Sequence, residues 1–125
     1  MADQVTRYRK SFVELVGTIQ QDYTLTLLEY TETPLGASAT FTSSTYQYDN
    51  NPIVSGICYA DQDGTLVIEL SPDGTKWIGE TAKDYTANDK LNFRVYITAP
   101  YFRVRFINGS TAQSFFYLYI YSATS

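Results

Sequence analysis

The chain has 125 residues, enough for one domain with a usable core and leaving little room for a second. Only 18% of it is charged and the net charge is −4, a balance that argues against binding phosphate backbones. There is no histidine and only one cysteine, so the commonest general base, the Ser-His-Asp and Cys-His arrangements, the usual zinc sites and any internal disulfide are all excluded.

Residues 1–22 read as an arm. Tyr8, Phe12, Leu15, Val16 and Ile19 lie near helical spacing, whereas Gly17 and the β-favouring Val16, Thr18 and Ile19 oppose a long helix. A short helix and an added strand both fit. No apolar core of a signal peptide follows the polar start, and no run is long enough to span a bilayer as a helix. The expectation is a protein made in a cytoplasm, with signal-independent release left open and no membrane partner.

From residue 23 to 125 the period shifts to two, and a β domain is expected. Strands are predicted at Tyr23–Tyr30, Ala39–Tyr48, Ile53–Ala60, Thr65–Leu70, Thr75–Ile78, Leu91–Thr98, Tyr101–Ile107 and Gln113–Tyr121. Thr33-Pro34-Leu35-Gly36 and Asp49-Asn50-Asn51-Pro52 break the chain. Asp61-Gln62-Asp63-Gly64 reads as the turn of a hairpin, because Asp-Gly tolerates positive φ. In Ser71-Pro72-Asp73-Gly74 proline presets φ and glycine takes the corner. Asp84–Lys90 is polar and reads as a loop, and Asn108-Gly109-Ser110-Thr111 as the last hairpin turn. About eight short strands, with no helical pattern to cover a parallel sheet, predict an all-β antiparallel sandwich or jelly roll with an N-terminal arm.

Alternation sorts the faces. Leu66, Ile68, Leu70, Leu91, Phe93, Val95, Ile97, Phe102, Val104, Phe106, Phe116, Leu118 and Ile120 form the inward set. Outward lie Arg94 and Tyr96, Arg103 and Arg105, and Tyr117, Tyr119 and Tyr121. If the last two strands form a hairpin, the last five of these share one face, extended by Arg94 and Tyr96. Tyr and Arg are enriched in interface cores, so this set is the candidate contact surface.

Other chemistry is thin. Cys58 sits in an apolar run and reads as an inert buried thiol. The acidic residues Asp61, Asp63 and Asp73 occupy turn positions, and Asp61-Gln62-Asp63-Gly64 lacks the ligand spacing of an EF-hand. Asn108-Gly109-Ser110 matches an N-glycosylation acceptor formally, and a turn explains it as well. No catalytic residue, cofactor or metal site is expected. A carbohydrate-binding or host-attachment module is the alternative, with Trp77 and Tyr85 as its sugar platform.

Several words carry a resemblance: Asp63-Gly64-Thr65-Leu66, Ser71-Pro72-Asp73-Gly74-Thr75-Lys76-Trp77, and Tyr101-Phe102-Arg103-Val104-Arg105-Phe106-Ile107-Asn108 followed by Ala112-Gln113. In that order they resemble a β-sandwich module of virion proteins in tailed phages and archaeal viruses, over roughly residues 34 to 121. The resemblance implies a non-enzymatic viral structural protein (minor capsid, decoration, tail or fibre component) in a virion. Its partners would be copies of itself or other virion proteins, with a glycan in the alternative reading and no nucleic acid.

Overall fold

The computed structural model describes residues 24–124. The expected arm, residues 1–22, lies outside them. Among the described residues every regular element is a strand, and no helix is long and apolar enough to cross a membrane.

Nine strands form two antiparallel sheets: β1 Leu25–Thr31, β2 Thr40–Thr42, β3 Tyr46–Gln47, β4 Ile53–Ala60, β5 Gly64–Ser71, β6 Gly79–Tyr85, β7 Leu91–Tyr96, β8 Tyr101–Asn108 and β9 Phe116–Ala123. The first sheet runs β1-β9-β4-β7. The second runs β2-β8-β5-β6, with β3 also on β8. Period-two alternation turns one row of each strand toward the other sheet. Val54 and Cys58 of β4, Leu66 and Ile68 of β5, Phe93 of β7, Val104 and Phe106 of β8, and Phe116, Leu118 and Ile120 of β9 make up most of the buried core. This is the expected sandwich, with the expected inward set.

One close approach depends on glycine. Gly56 faces inward on β4 beneath Phe93, and a Cβ there would lie 2.5 Å from the Phe93 ring and 2.1 Å from the Tyr119 carbonyl oxygen. The missing side chain lets the ring lie against the sheet.

The connections differ from expectation in three places. Asp61-Gln62-Asp63 does not close a hairpin, since β4 and β5 belong to different sheets and Gly64 does not take positive φ. Asp61 Oδ1 accepts from the amides of Ser114 and Phe115, and Asp63 Oδ1 accepts from that of Ala87. These aspartates hold neighbouring loops, and the chain arches from one sheet to the other.

The last two strands likewise do not pair. The segment between β8 and β9 spans residues 109–115, and Asn108 anchors it. Its Nδ2 donates to Gly36 O at 2.8 Å and Thr111 O at 2.9 Å. The Asn108 side chain of the formal glycosylation acceptor is thus buried and engaged.

The third difference is β6. A strand lies where a polar loop was expected at its end, and residues 75–78 form loop instead. Lys83 and Asp84 are exposed, because β6 is an edge whose side chains have little to cover. The β5–β6 loop follows its predicted chemistry. Gly74 has φ 84°, Ser71 Oγ accepts from the amides of Asp73 and Gly74, and Asp73 Oδ1 accepts from those of Thr75 and Lys76. The Lys76 and Thr75 amides hold the Asp73 carboxyl down at about 2.

Candidate interaction face

Because β8 and β9 lie in different sheets, the Tyr and Arg positions read from the sequence fall on opposite outer faces. Arg103 and Arg105 point out from the five-stranded sheet. Tyr117, Tyr119 and Tyr121 point out from the four-stranded sheet, together with Arg94 and Tyr96. The single shared patch is therefore corrected to two separate surfaces.

On the five-stranded side, Glu69 stands between the arginines. Arg103 Nε donates to Glu69 Oε1 at 2.6 Å, and Arg105 NH1 is 3.4 Å from Oε2. Register sets this up, since Glu69 pairs with Arg103 and Val67 with Arg105 across β5 and β8. Trp77 reaches back over the strands and stacks on the Arg103 guanidinium, 4.2 Å from its ring centroid. These groups satisfy one another, apart from the buried Arg105 Nε, which has no hydrogen-bond partner among the described residues.

The four-stranded side is different. Leu25, Leu27 and Tyr30 project from β1, Tyr117, Tyr119 and Tyr121 from β9, Ile57 and Tyr59 from β4, and Arg94 and Tyr96 from β7. Among the described residues, six of the eight exposed large hydrophobic side chains lie here: Leu25, Leu27, Tyr30, Ile57, Tyr96 and Tyr117. Cross-strand register stacks Tyr30 on Tyr119 (5.0 Å, 13°) and Tyr59 on Tyr117 (6.3 Å, 16°). Lys90 lies 5.6 Å above the Tyr59 ring. The Tyr119 hydroxyl donates to Glu32 Oε2. That carboxylate beside the phenol pushes its ionisation up to about 12, so the ring stays neutral.

Two shallow grooves mark this face. One, of about 420 Å³, has Ile53 and Ser55 along β4, with Leu25 and Arg94 at its sides. The other, of about 340 Å³, lies among Ile57, Tyr59, Tyr117 and Lys90. Ile57 and Asn92 line both, so the two follow one another along β4.

The sugar platform is corrected for Tyr85, which is 2% exposed. Its ring packs edge-on against Phe106 (5.6 Å, 69°), and its hydroxyl accepts from the Ala60 amide at 2.9 Å. Sequence reasoning missed this role because Tyr85 was assigned to a loop. As the last residue of β6, it is turned inward by alternation. Trp77 alone remains partly exposed, with one side taken by Arg103. Cys58 is buried, and burial raises its thiol to about 12. Among the described residues, no group of three or more acidic or cysteine side chains is arranged to hold a metal.

The fold and surface define a class: a two-sheet antiparallel β-sandwich module with one open, aromatic sheet face. The chain belongs to the family described as the N-terminal domain of the uncharacterised protein YqxG, matched over residues 18–123. It is 39% identical over 71 residues to the phage-like element PBSX protein XepA of Bacillus subtilis (strain 168), covering 53% of this chain and 24% of XepA. The uncharacterised protein YqxG of the same strain is 39% identical over 67 residues, covering 53% of this chain and 23% of YqxG. The chain thus spans about a quarter of these curated relatives. Among solved structures, the PBSX exported protein XepA superposes with a TM-score of 0.70 at 29% identity, over 79% of this chain and 36% of that one. A disulfide-linked pilus of Bacillus endospore appendages shares the fold at a TM-score of 0.50 and 14% identity, over 85% of this chain and 92% of that one.

Proposed function

We propose that this protein is a non-enzymatic structural module of a phage-like particle, acting in a virion or outside the cell and assembling through the outer face of its four-stranded sheet. One observation carries the reading: six of the eight exposed large hydrophobic side chains among the described residues share that face. Contiguous apolar surface rimmed by polar groups marks contact sites, whereas scattered apolar residues do not. Tyr96, Tyr117, Tyr119, Tyr121 and Arg94 supply the aromatic and arginine anchors typical of such contacts. Kinship with a PBSX phage-element protein that is exported supports both the context and the location. Arg103 and Arg105 have a different part, which is to hold Glu69 and Trp77 on the opposite face.

The test replaces Ile57 and Tyr117 together with threonine, which keeps β propensity and removes apolar area. Light scattering and sedimentation should find the parent chain self-associated and the variant at least tenfold weaker. The variant's unfolding free energy should stay within about 0.5 kcal/mol, as for exposed positions generally. A parent that stays monomeric at high concentration would refute the reading.

A further inference from the structure

Strand register sorts the outer face of the four-stranded sheet into rows that cross all four strands. One row holds Leu27, Tyr121, Ser55 and Arg94. The next outward row holds Tyr30, Tyr119, Ile57 and Asn92. One step further along, Tyr117 pairs with Tyr59. Glu32 follows β1 directly and Lys90 directly precedes β7, so the same register sets them at the two ends of that last row. Across the sheet the row therefore runs carboxylate, phenol, phenol, ammonium. The face has two unlike ends: one aliphatic with a guanidinium, the other aromatic with opposite charges at its rim.

At the aromatic end the side chains hold one another in place. The Tyr59 ring contacts Tyr117, near-parallel at 6.3 Å and 16°, and Phe115, tilted at 4.8 Å and 51°. Lys90 is drawn over Tyr59, and Glu32 is held by the Tyr119 hydroxyl. Polar groups fixed before a ligand arrives cost less to order when it binds. Among these residues lies the groove of about 340 Å³, with Tyr59, Tyr117 and Ile57 as its apolar wall and Glu32, Lys90 and Asn92 as its polar groups. Apolar rings with a few converging polar groups are the usual lining of a small-ligand site, and this volume is at the lower end of such sites.

We propose that this aromatic end is a saccharide site, taking a β-1,4-linked chain of pyranoses whose ring substituents are all equatorial. Such a sugar shows axial C–H groups on its two faces and hydroxyls around its rim. The C–H face suits the electron-rich faces of Tyr59 and Tyr117. The rim suits the ends of the row: Glu32 accepts from hydroxyl or amide donors, Lys90 donates to hydroxyl or carbonyl oxygens, and the Asn92 amide does both. Four strands at about 4.8 Å spacing set Glu32 and Lys90 about 14 Å apart, a span for several sugar units rather than one. The charges select against other partners at this end. Lys and Glu are depleted in protein interface cores, where Arg is enriched. A carboxylate at the rim also repels a phosphate backbone. The inference goes beyond the assembly reading and does not need it, since copies meeting over Leu25, Leu27 and Tyr96 leave the aromatic end open.

Titration calorimetry on the full-length chain tests this with cellohexaose and with the β-1,4 hexamer of N-acetylglucosamine, at a dilution where sedimentation finds single copies. At least one should bind with a Kd at or below about 1 mM. The β-1,4 hexamer of galactose, whose ring carries an axial oxygen, should bind at least about tenfold more weakly. Equal affinity for it would overturn the match to an equatorial sugar face. Tyr59→Ala and Lys90→Met, made separately, should each weaken binding at least about tenfold. Lys90 is exposed, so Lys90→Met should keep the parent's urea midpoint, and its lost binding then reports a lost contact. No heat from any hexamer at millimolar concentration would overturn the proposal, as would binding that survives both substitutions. Binding lost instead in Trp77→Leu would move the site to the five-stranded sheet and overturn it too. The two readings fail separately. A chain that binds sugar but stays monomeric at high concentration removes the assembly reading alone. A chain that self-associates but binds no hexamer when dilute removes the saccharide site alone.

Discussion

Replacing Tyr85 by phenylalanine isolates one oxygen in the core. The hydroxyl accepts from the Ala60 amide at 2.9 Å, and its proton lies between the carbonyls of Ala60, at 3.2 Å, and Asp89. The ring contact with Phe106 is untouched by the change, so no cavity forms. What remains is the Ala60 N–H, in a residue fully buried on β4. Asp89 is exposed, and water can reach its carbonyl. The cost is therefore that of one buried, unsatisfied amide, about 1–3 kcal/mol. Taking about 2 kcal/mol, and about 4–8 °C per kcal/mol for a domain near this size, the midpoint of thermal unfolding should fall by roughly 8–16 °C. Circular dichroism gives the thermal midpoint, and urea titration followed by Trp77 emission gives the free energy with an unchanged denaturant slope. A loss below about 0.3 kcal/mol would refute the assignment of Tyr85 as the staple between β6 and β4, since an unmade buried bond costs more.

Two further predictions rest on the same core. Gly56→Ala should cost at least about 1–3 kcal/mol in urea titration, because the added methyl must displace the Phe93 ring and the β9 backbone together. An unchanged midpoint would mean that the two strands separate freely at this point. Stability should also fall on the alkaline side. Burial raises the Cys58 thiol from 9.0 to about 12, and burial with Glu29 nearby raises Tyr46 from 10.0 to about 12. Both protons are retained longer in the folded chain, so their contribution is fully present below pH 9 and is lost between about 9 and 12. In Cys58→Ala the decline in urea midpoint should begin nearer pH 10, and an onset still at pH 9 would exclude the thiol as its cause.

Much of the fold was legible because alternation is a local property. The inward rows of β5, β7, β8 and β9 follow from Leu66-Ile68, Phe93-Val95, Phe102-Val104-Phe106 and Phe116-Leu118-Ile120, and each row turned inward as read. What alternation does not encode is which sheet a strand joins. The pairing of β8 with β9 was assumed from adjacency. A connection of residues 109–115 is long for a hairpin, and that length was the available warning. The separation of Arg103 and Arg105 from Tyr117, Tyr119 and Tyr121 follows from this single error. β6 was lost for another reason: an edge strand with polar residues on both faces carries no period to read. The exposed aliphatic part of the face, Leu25, Leu27 and Ile57, was hidden because apolar residues were sought in the interior.

Six of the eight connections change sheets: β1–β2, β3–β4, β4–β5, β6–β7, β7–β8 and β8–β9. Ladders between strands far apart in sequence form slowly, since long loops must close before any pairing rewards them. β4 waits for β9, 56 positions downstream from Ala60 to Phe116 in their register, before either of its neighbours can be backed by a complete sheet. The outer aromatic face therefore becomes one supported surface only once nearly the whole chain has been threaded. Nascent chains would be slow to offer one another that surface, a safeguard in time against contacts made before folding is complete.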